Sequence, residues 1–273
     1  MDRRPIADAL GRPLEVARWP RIVSLVPSLT ELVFDLGAGD RLIGCTRYCT
    51  EPVDGLAGVA RVGGQKDPDV DAILALAPDL VLAVEEENLE RDVERLSAAG
   101  VPVYVANVRT VEDAVALIGE IGDAIDADPS RAQPLIEAVR AGVIAARRSP
   151  TAHSPTVFCP VWRDPWITIS QGTYAWDALV LVGARPLALA TRQTKDRRYP
   201  KVELAAVIAA RPDVVLLLDE PFPFAERDVA ELKALLPATR VVRCDGKALL
   251  WYGHRTGELA SLAQRLSPLA AAD

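Results

Sequence analysis

The 273-residue chain has few of the side chains from which metal centres are usually built. It has two histidines, His153 and His254, too few for a three-histidine zinc site. Its four cysteines form no CxxC pair and no zinc spacing, so free thiols in a reducing compartment are expected. These are Cys45, Cys49, Cys159 and Cys244. The composition therefore predicts no side-chain metal site, and any bound metal would arrive inside an organic chelate.

Other features that are missing exclude further classes. No stretch approaches the roughly 18 apolar residues that cross a bilayer, so a membrane-spanning protein is not expected. Neither a phosphate-binding glycine motif nor a GxSxG elbow is present. The first residues, MDRRPIADALGRPLEVARWPRIV, contain no apolar signal core, so the sequence as written predicts a cytoplasmic protein. A periplasmic or extracytoplasmic location is the alternative if a leader is missing.

The charge distribution gives no sign of a nucleic-acid partner. The chain has 31 basic and 38 acidic residues, for a formal charge of −7, and the two signs are interspersed. Half of the residues are hydrophobic and a quarter are charged, which is typical of a globular protein.

A repeated segment dominates what is present. AILALAPDLVLAVEE (72–86) recurs as AVIAARPDVVLLLDE (206–220), about 134 residues apart. Each copy runs from an apolar helix through Pro-Asp into a β-rich strand. Strands alternate with helices around both copies, which predicts an α/β fold with two similar lobes, each a mostly parallel sheet flanked by helices.

Between the lobes, positions 110–148 show helical periodicity alone, with a break or kink expected at Asp128 and Pro129. We therefore expect an N-terminal α/β lobe (1–108), a long interlobe helix (109–149) and a C-terminal α/β lobe (150–273). Near the N-terminus, a strand over 21–26 precedes a helix that Pro27 and Ser28 open and that runs to Leu36. Ser28 and Glu31 predict a capping box for that helix, and Gly37 its end.

Carboxylates end both repeated strands, as Glu85/Glu86 and Asp219/Glu220. Ligands of open α/β sheets bind beyond the carboxyl ends of the strands, so these acids either face a ligand or are solvated helix caps.

The few aromatic residues are unevenly placed. Their faces suit a large planar or conjugated ligand, although the rings could instead close the ends of the sheets. They are Tyr48, Trp162, Trp166, Trp176, Trp251 and Tyr252. The candidate catalytic pairing is Cys49 as a nucleophile with His254 as its base, and no sequence context marks either residue. A non-catalytic binding protein is therefore expected.

Several motifs together resemble a known family. RIVSLVPSLTELVFDLGAGDRLIG, IxALxPDLVL, the long interlobe helix and the repeated PDVVLL are similar to the class III substrate-binding proteins of ABC importers for cobalamin and ferric siderophores, also called helical-backbone metal receptors. The resemblance covers positions 21–266. It implies two α/β lobes bridged by one helix, with a metal chelate held in the cleft between them.

Within that family the chain looks most similar to the cobalamin-binding branch, where aromatic residues enclose the corrin. The resemblance implies Tyr48, Trp166 and Tyr199 as first-choice ligand contacts, with Trp162 and Trp251 next. Polar contacts are expected from Gln65, Lys66, Glu85 and Arg163. The ligand would be cobalamin or another metal chelate, and no cofactor is required.

Two alternatives remain open. A ferric siderophore or haem could be the ligand, and an anionic siderophore would be held mainly by arginines rather than by tryptophans. The arginines in question are Arg47, Arg163, Arg197 and Arg198. The other alternative is an enzyme acting on a corrinoid or another small molecule.

The resemblance also implies docking on an ABC permease through one acidic residue on each lobe. The first is Asp71, but Ala205 stands at the second position, and the nearby Glu203 would point elsewhere on a helix. This departure argues against a permease partner.

Overall fold

The computed structural model describes residues 5–148, 154–189 and 198–266. The chain divides into two compact units. The first consists of Met1–Val108, Glu112–Val139 and Tyr252–His254, and the second of Arg109–Val111, Arg140–Trp251 and Arg255–Asp273.

The first unit is built on a five-stranded parallel sheet with the order β5-β4-β3-β6-β7, and β1 and β2 form a separate antiparallel pair. The strands are β1 (Ile6–Ala7), β2 (Pro13–Leu14), β3 (Ile22–Ser24), β4 (Leu42–Cys45), β5 (Ala60–Arg61), β6 (Leu80–Val84) and β7 (Val103–Ala106). The helices from α1 to α5 are α1 (Pro27–Asp35), α2 (Val70–Ala75), α3 (Glu90–Ala98), α4 (Val111–Ala124) and α5 (Pro129–Arg148), of which α5 passes into the second unit at Arg140. Short 3₁₀ helices cover Gly39–Arg41 and Asp54–Leu56.

The second unit has a four-stranded parallel sheet with the order β11-β8-β12-β13, and β9 and β10 form an antiparallel pair. Its strands are β8 (Thr156–Phe158), β9 (Pro160–Trp162), β10 (Ile167–Thr168), β11 (Arg185–Pro186), β12 (Val214–Leu218) and β13 (Arg240–Cys244). Its helices are α6 (Tyr174–Leu181), α7 (Leu204–Ala210), α8 (Glu226–Leu235), α9 (Lys247–Leu250) and α10 (Leu259–Leu266), with a 3₁₀ helix at Gly253–Glu258.

The two sheets share one topology. The order β4-β3-β6-β7 in the first unit matches β11-β8-β12-β13 in the second, and the two copies of the repeated segment supply β6 and β12. Every residue of β6 and of β12 is buried, as expected for central parallel strands that are covered on both faces. The expected α/β fold with two similar units is confirmed.

The repeat also encodes how the helix before each central strand ends. Ala77 follows α2 with a φ of 45°, and Arg211 follows α7 with a φ of 47°. Both residues are left-handed and both precede a Pro-Asp pair, where proline prevents the helix from continuing. The chain therefore turns from helix to strand in the same way in both units.

The segment expected to form the interlobe helix contains two helices, α4 and the 20-residue α5. The break falls where Asp128 and Pro129 predicted it. Asp126 has a φ of 49°, and Pro129, which lacks an N–H, begins α5. The Asp128 carboxylate accepts a hydrogen bond from the Ser130 N–H at 2.9 Å, which satisfies a free donor of the new helix.

The capping box predicted for α1 is wrong. The helix begins at Pro27, with Val26 as its N-cap and no side-chain cap. Proline favours the first helical position because its φ is already fixed, so Ser28 is placed inside the helix, where its buried hydroxyl has no hydrogen-bond partner. Gly37 follows the helix with a φ of 74°, as predicted. In the described part of the chain, no helix combines the length and apolarity needed to span a bilayer.

Candidate functional site

In the first unit, a loop and a turn are tied together beyond the carboxyl end of β6. The Gln65 amide donates to Glu87 Oε2 at 3.0 Å, and the Lys66 ammonium donates to the Glu86 carbonyl at 2.6 Å. The Asn88 side chain completes the connection. Its Oδ1 accepts a hydrogen bond from the Val84 N–H at 2.8 Å, and its Nδ2 donates one to the Gln65 carbonyl at 3.1 Å. The predicted contacts Gln65 and Lys66 therefore lie beside the acidic run that contains Glu85.

Glu87 was not among the predicted contacts, although it continues the same acidic run. Burial of its carboxyl group and the neighbouring charge of Glu86 raise the pKa of Glu87 to about 8. The hydrogen bond from Gln65 acts in the opposite direction and lowers this pKa. Glu86 is held differently, because the Tyr252 hydroxyl donates to its Oε1 at 2.5 Å. Three consecutive glutamates after an apolar strand were the signal that could have identified Glu87.

Tyr48 presents an exposed ring in the first unit, with 51% of its surface accessible. The Arg47 guanidinium lies 5.0 Å from the ring centre and also binds the Asp67 carboxylate at 2.7 Å. Gly64 packs against this group, since a Cβ there would lie 2.3 Å from Asp67 Oδ1 and 3.0 Å from the Tyr48 ring. A larger residue at position 64 would displace the side chains of Asp67, Arg47 and Tyr48 from this arrangement.

In the second unit, the predicted tryptophans divide into an exposed and a buried one. Trp162 ends β9 with 43% of its surface accessible, and Phe222 packs edge-on against it with ring centres 5.5 Å apart. Trp166 is only 8% accessible and stacks on Phe224 at 5.9 Å. Trp166 therefore belongs to the core of its unit, whereas Trp162 offers a free face.

Arg163 lies between the two tryptophans in the sequence, and carboxylates already compensate its charge. Its guanidinium contacts the buried Asp228 carboxylate, binds Glu231 at 2.9 Å and lies 5.2 Å from the Trp166 ring centre. Tyr199 is half-buried on the segment that pairs with β10, where the Pro200 carbonyl accepts from the Thr168 N–H at 3.0 Å. Arg197 and His153 lie outside the described residues.

The acids that follow β12 contact α9 and the residues at its ends. Asp219 is exposed and accepts the Gly246 N–H at 2.8 Å. Burial raises the pKa of Glu220 to about 7, against a hydrogen bond from Trp251 and the charge of Lys247. Trp251 itself is buried, with Lys247 and Arg255 at 5.2 and 5.5 Å from its ring.

Seven of the nine predicted contacts fall into two groups, one in each unit, whereas Tyr199 lies on the segment beside β10 and Trp251 follows α9. The first unit brings together Tyr48, Gln65, Lys66 and Glu85 around the 63–67 loop, and the second places Trp162, Arg163 and Trp166 around two phenylalanines. Within the described residues, no group of three or more metal-binding side chains is found. The partners of the Cys49 sulfur are Thr30, Thr46 and Cys45, so the considered pairing with His254 is not formed.

Comparison with known proteins gives the family. A family model described as periplasmic binding protein matches residues 22–234. The chain belongs to this family. The vitamin B12-binding protein of Vibrio parahaemolyticus is 28% identical over 197 residues, covering 71% of this chain and 69% of the relative. The vitamin B12-binding protein of Yersinia pestis is 26% identical over 198 residues, with 72% and 69% covered.

Solved structures share the fold of this periplasmic binding protein. The vitamin B12-binding protein BtuF of Vibrio cholerae has a TM-score of 0.77 at 22% identity and covers 90% of this chain and 96% of its own. The heme-binding protein BhuT, solved with two hemes, has a TM-score of 0.72 at 27% identity, with 90% and 97% covered.

The expectation of a cytoplasmic protein is wrong. The family and the related solved structures are periplasmic binding proteins, which points to an extracytoplasmic location. The premise of a reducing compartment, drawn from the unpaired spacing of the cysteines, is corrected with it. All four cysteines are nevertheless free in the structure.

Proposed function

We propose that this chain is a non-catalytic binding protein for cobalamin or a related corrinoid. The names of its sequence relatives support that ligand, and the family consists of binding proteins rather than enzymes. The candidate contacts are the predicted residues of each unit described above.

The observation that carries the proposal is the pair of exposed aromatic faces, Tyr48 in the first unit and Trp162 in the second. Tyr48 follows β4 by three residues and Trp162 follows β8 by four, so both rings come after the carboxyl ends of parallel strands, where α/β proteins bind ligands. A corrin is a large conjugated ring system whose edge carries amide groups. Exposed aromatic rings can cover its apolar surface, and Gln65 and Lys66 can bond its amides.

The charges near these rings favour a corrinoid over an anionic siderophore. Arg47 is neutralised by Asp67, and Arg163 by Asp228 and Glu231. Exposed carboxylates also end both central strands, as Glu85 and Asp219. A polyanionic ligand would be repelled by these acids, whereas a neutral or cationic cobalt corrinoid would not.

The test is retention of cobalamin after desalting, followed by visible absorption and titration calorimetry. Trp162→Ala should weaken binding by roughly tenfold, because one aromatic face is lost. Leu235→Ala removes an apolar side chain of similar exposure (42%) from α8 and should leave the affinity unchanged. No retained corrin bands from the unmodified chain, or equal losses in the two variants, would refute the proposal.

Haem is the second candidate, supported by the 27% identity to BhuT. The same desalting assay with haem separates the two ligands. Retention of a haem absorption band without retention of cobalamin would show that the chain is a binding protein whose ligand is haem rather than cobalamin.

We further infer that any permease partner takes its acidic contact from the first unit. Asp71 is exposed on α2, where it binds Arg95 at 2.5 Å, but Ala205 is its counterpart on α7. Glu203 is the N-cap of α7 and corresponds to Asp69, the N-cap of α2, rather than to Asp71. Asp71→Asn should lower chelate uptake by cells that contain a permease, and Glu203→Gln should not; the reverse order would contradict this inference.

A further inference from the structure

Two thiols of the first unit lie four residues apart in the turn that carries Tyr48. Cys45 is the last residue of β4, and the Cys49 N–H bonds to the Thr46 carbonyl at 3.2 Å, so the chain turns back on itself between the two cysteines. Both side chains are buried, and each thiol influences the pKa of the other.

The surroundings of the pair give its two sulfurs different roles. The hydroxyls of Thr30 and Thr46 lie 3.1 and 3.2 Å from the Cys49 sulfur. The hydrogen bond with Cys45, followed by those with Thr30 and Thr46, lowers the pKa of Cys49 to about 7, although burial opposes this. The same hydrogen bond and burial raise the pKa of Cys45, so Cys49 is the thiol of the pair that ionises more readily.

Arg61 fixes the turn around both cysteines. Its Nη1 donates to the Cys45 sulfur at 3.1 Å, to the Thr46 carbonyl at 3.0 Å and to the Cys49 carbonyl at 2.7 Å. One guanidinium nitrogen therefore holds both ends of the turn. This arrangement holds the Cys45 sulfur beside the backbone of Cys49, and an intramolecular disulfide requires two cysteines at such close range.

We propose that Cys45 and Cys49 are a redox-active dithiol pair that a disulfide oxidant converts to a Cys45–Cys49 disulfide. The Cys49 thiolate attacks one sulfur of the oxidant, which breaks the oxidant's S–S bond and releases one thiolate. Cys45 then loses its proton and attacks the Cys49 sulfur of the mixed disulfide, releasing the second thiolate. The protein loses two electrons and two protons, and the oxidant leaves as two thiols.

The family's location gives this chemistry a setting, because disulfides form and persist outside the cytoplasm. Burial of both sulfurs means that the oxidant must reach Cys49 through local opening of the turn or during folding. The remaining cysteines lack such surroundings: burial raises the pKa of Cys244 to about 12 and also raises that of Cys159.

The test treats the full chain with a series of glutathione buffers, from fully reduced to fully oxidised, to equilibrium. After acid quenching and unfolding, free thiols are alkylated and the chain is cut with trypsin. Cleavage after Arg41, Arg47 and Arg61 separates Cys45 (peptide 42–47) from Cys49 (peptide 48–61). We expect these two peptides to be recovered as one linked species, lighter by two hydrogens and separated by reductant.

Cys159 and Cys244 are the internal controls, and they should remain alkylated over most of the series. Cys45→Ser should leave glutathione attached to Cys49, whereas Cys159→Ser should give the same linked peptides as the unmodified chain. The proposal is overturned if Cys45 and Cys49 remain fully alkylated in the most oxidising buffer. It is equally overturned if each carries glutathione separately, without a linked species.

Discussion

At the residue scale, Glu87 is a carboxyl group in a position that disfavours its ionised form. Its Oε2 accepts from the Gln65 amide, but the adjacent Glu86 carries charge of the same sign and burial removes water. These effects place its pKa at about 8, against an ordinary value of 4.5. Between those pH values the folded chain binds a proton that the unfolded chain has released, so stability falls as the pH rises.

Glu87→Gln should remove this dependence. The free energy of unfolding of the variant should match that of the unmodified chain near pH 4.5 and exceed it by about 1–3 kcal/mol above pH 8. This range is smaller than the full pKa difference implies, because Glu87 is partly exposed to solvent. Urea unfolding at pH 5, 7 and 9 measures the difference. Glu85→Gln, at an exposed position of the same acidic run, is the control, and parallel pH profiles for Glu87→Gln and the unmodified chain would contradict the prediction.

The same residue shows why the site was harder to predict than the fold. Glu87 and Gln65 are 22 positions apart, and Arg163 and Asp228 are 65 apart, so their pairing depends on the packing of distant segments. Trp162 and Trp166 look alike in the sequence, four residues apart in one loop-rich stretch. Only the tertiary structure separates the exposed ring from the ring stacked on Phe224.

At the scale of elements, local patterns predicted most helices and strands within one or two residues. The strand expected over 21–26 contains β3 (Ile22–Ser24), and the break expected at Asp128 and Pro129 separates α4 (Val111–Ala124) from α5 (Pro129–Arg148). Such elements follow from hydrophobic periodicity and end residues, which are local properties. The β9 and β10 pair was missed because its strands of three and two residues are too short to show a period.

The matched helix ends before β6 and β12 give a prediction for these elements. Ala77 and Arg211 both adopt a left-handed conformation, which costs about 1–2 kcal/mol for a residue with a Cβ. Arg211→Gly should therefore stabilise the chain by about 0.5–1 kcal/mol. This net value is the relieved strain minus the cost of the extra entropy that glycine gives the unfolded chain, and Ala77→Gly should have the same effect.

Ala210→Gly is the matched control, because Ala210 is the preceding residue and the last of α7. Ala210 already has helical geometry, which glycine does not favour, so the free energy of unfolding of this variant should fall by up to about 1 kcal/mol. Thermal unfolding of the three variants measures the differences. Destabilisation by Arg211→Gly equal to that by Ala210→Gly would show that the left-handed conformation carries no strain.

At the scale of the whole molecule, two units with one topology have different surface chemistry. The first presents a tyrosine beside a run of glutamates, and the second presents a tryptophan supported by phenylalanines. Each has its own core, around Val81 and Ala83 in the first unit and around Val215 and Leu217 in the second. The repeat thus fixes the scaffold, whereas the loops that follow the strands determine what each unit can bind.

Because each unit has its own core, ligand binding should be visible separately in each. A ligand that contacts both units is released when either unfolds, so cobalamin at 100 times its Kd should stabilise both by about 2.7 kcal/mol. Amides of β6 and of β12 that exchange through unfolding of their own unit should each slow by about 100-fold, as measured by hydrogen exchange with mass spectrometry. Amides that exchange through local fluctuations, rather than through unfolding of their unit, serve as the control and should not change. Slowing confined to β12 would mean that only the second unit contacts the corrinoid, and the contacts assigned to Tyr48, Gln65 and Lys66 would then have to be abandoned.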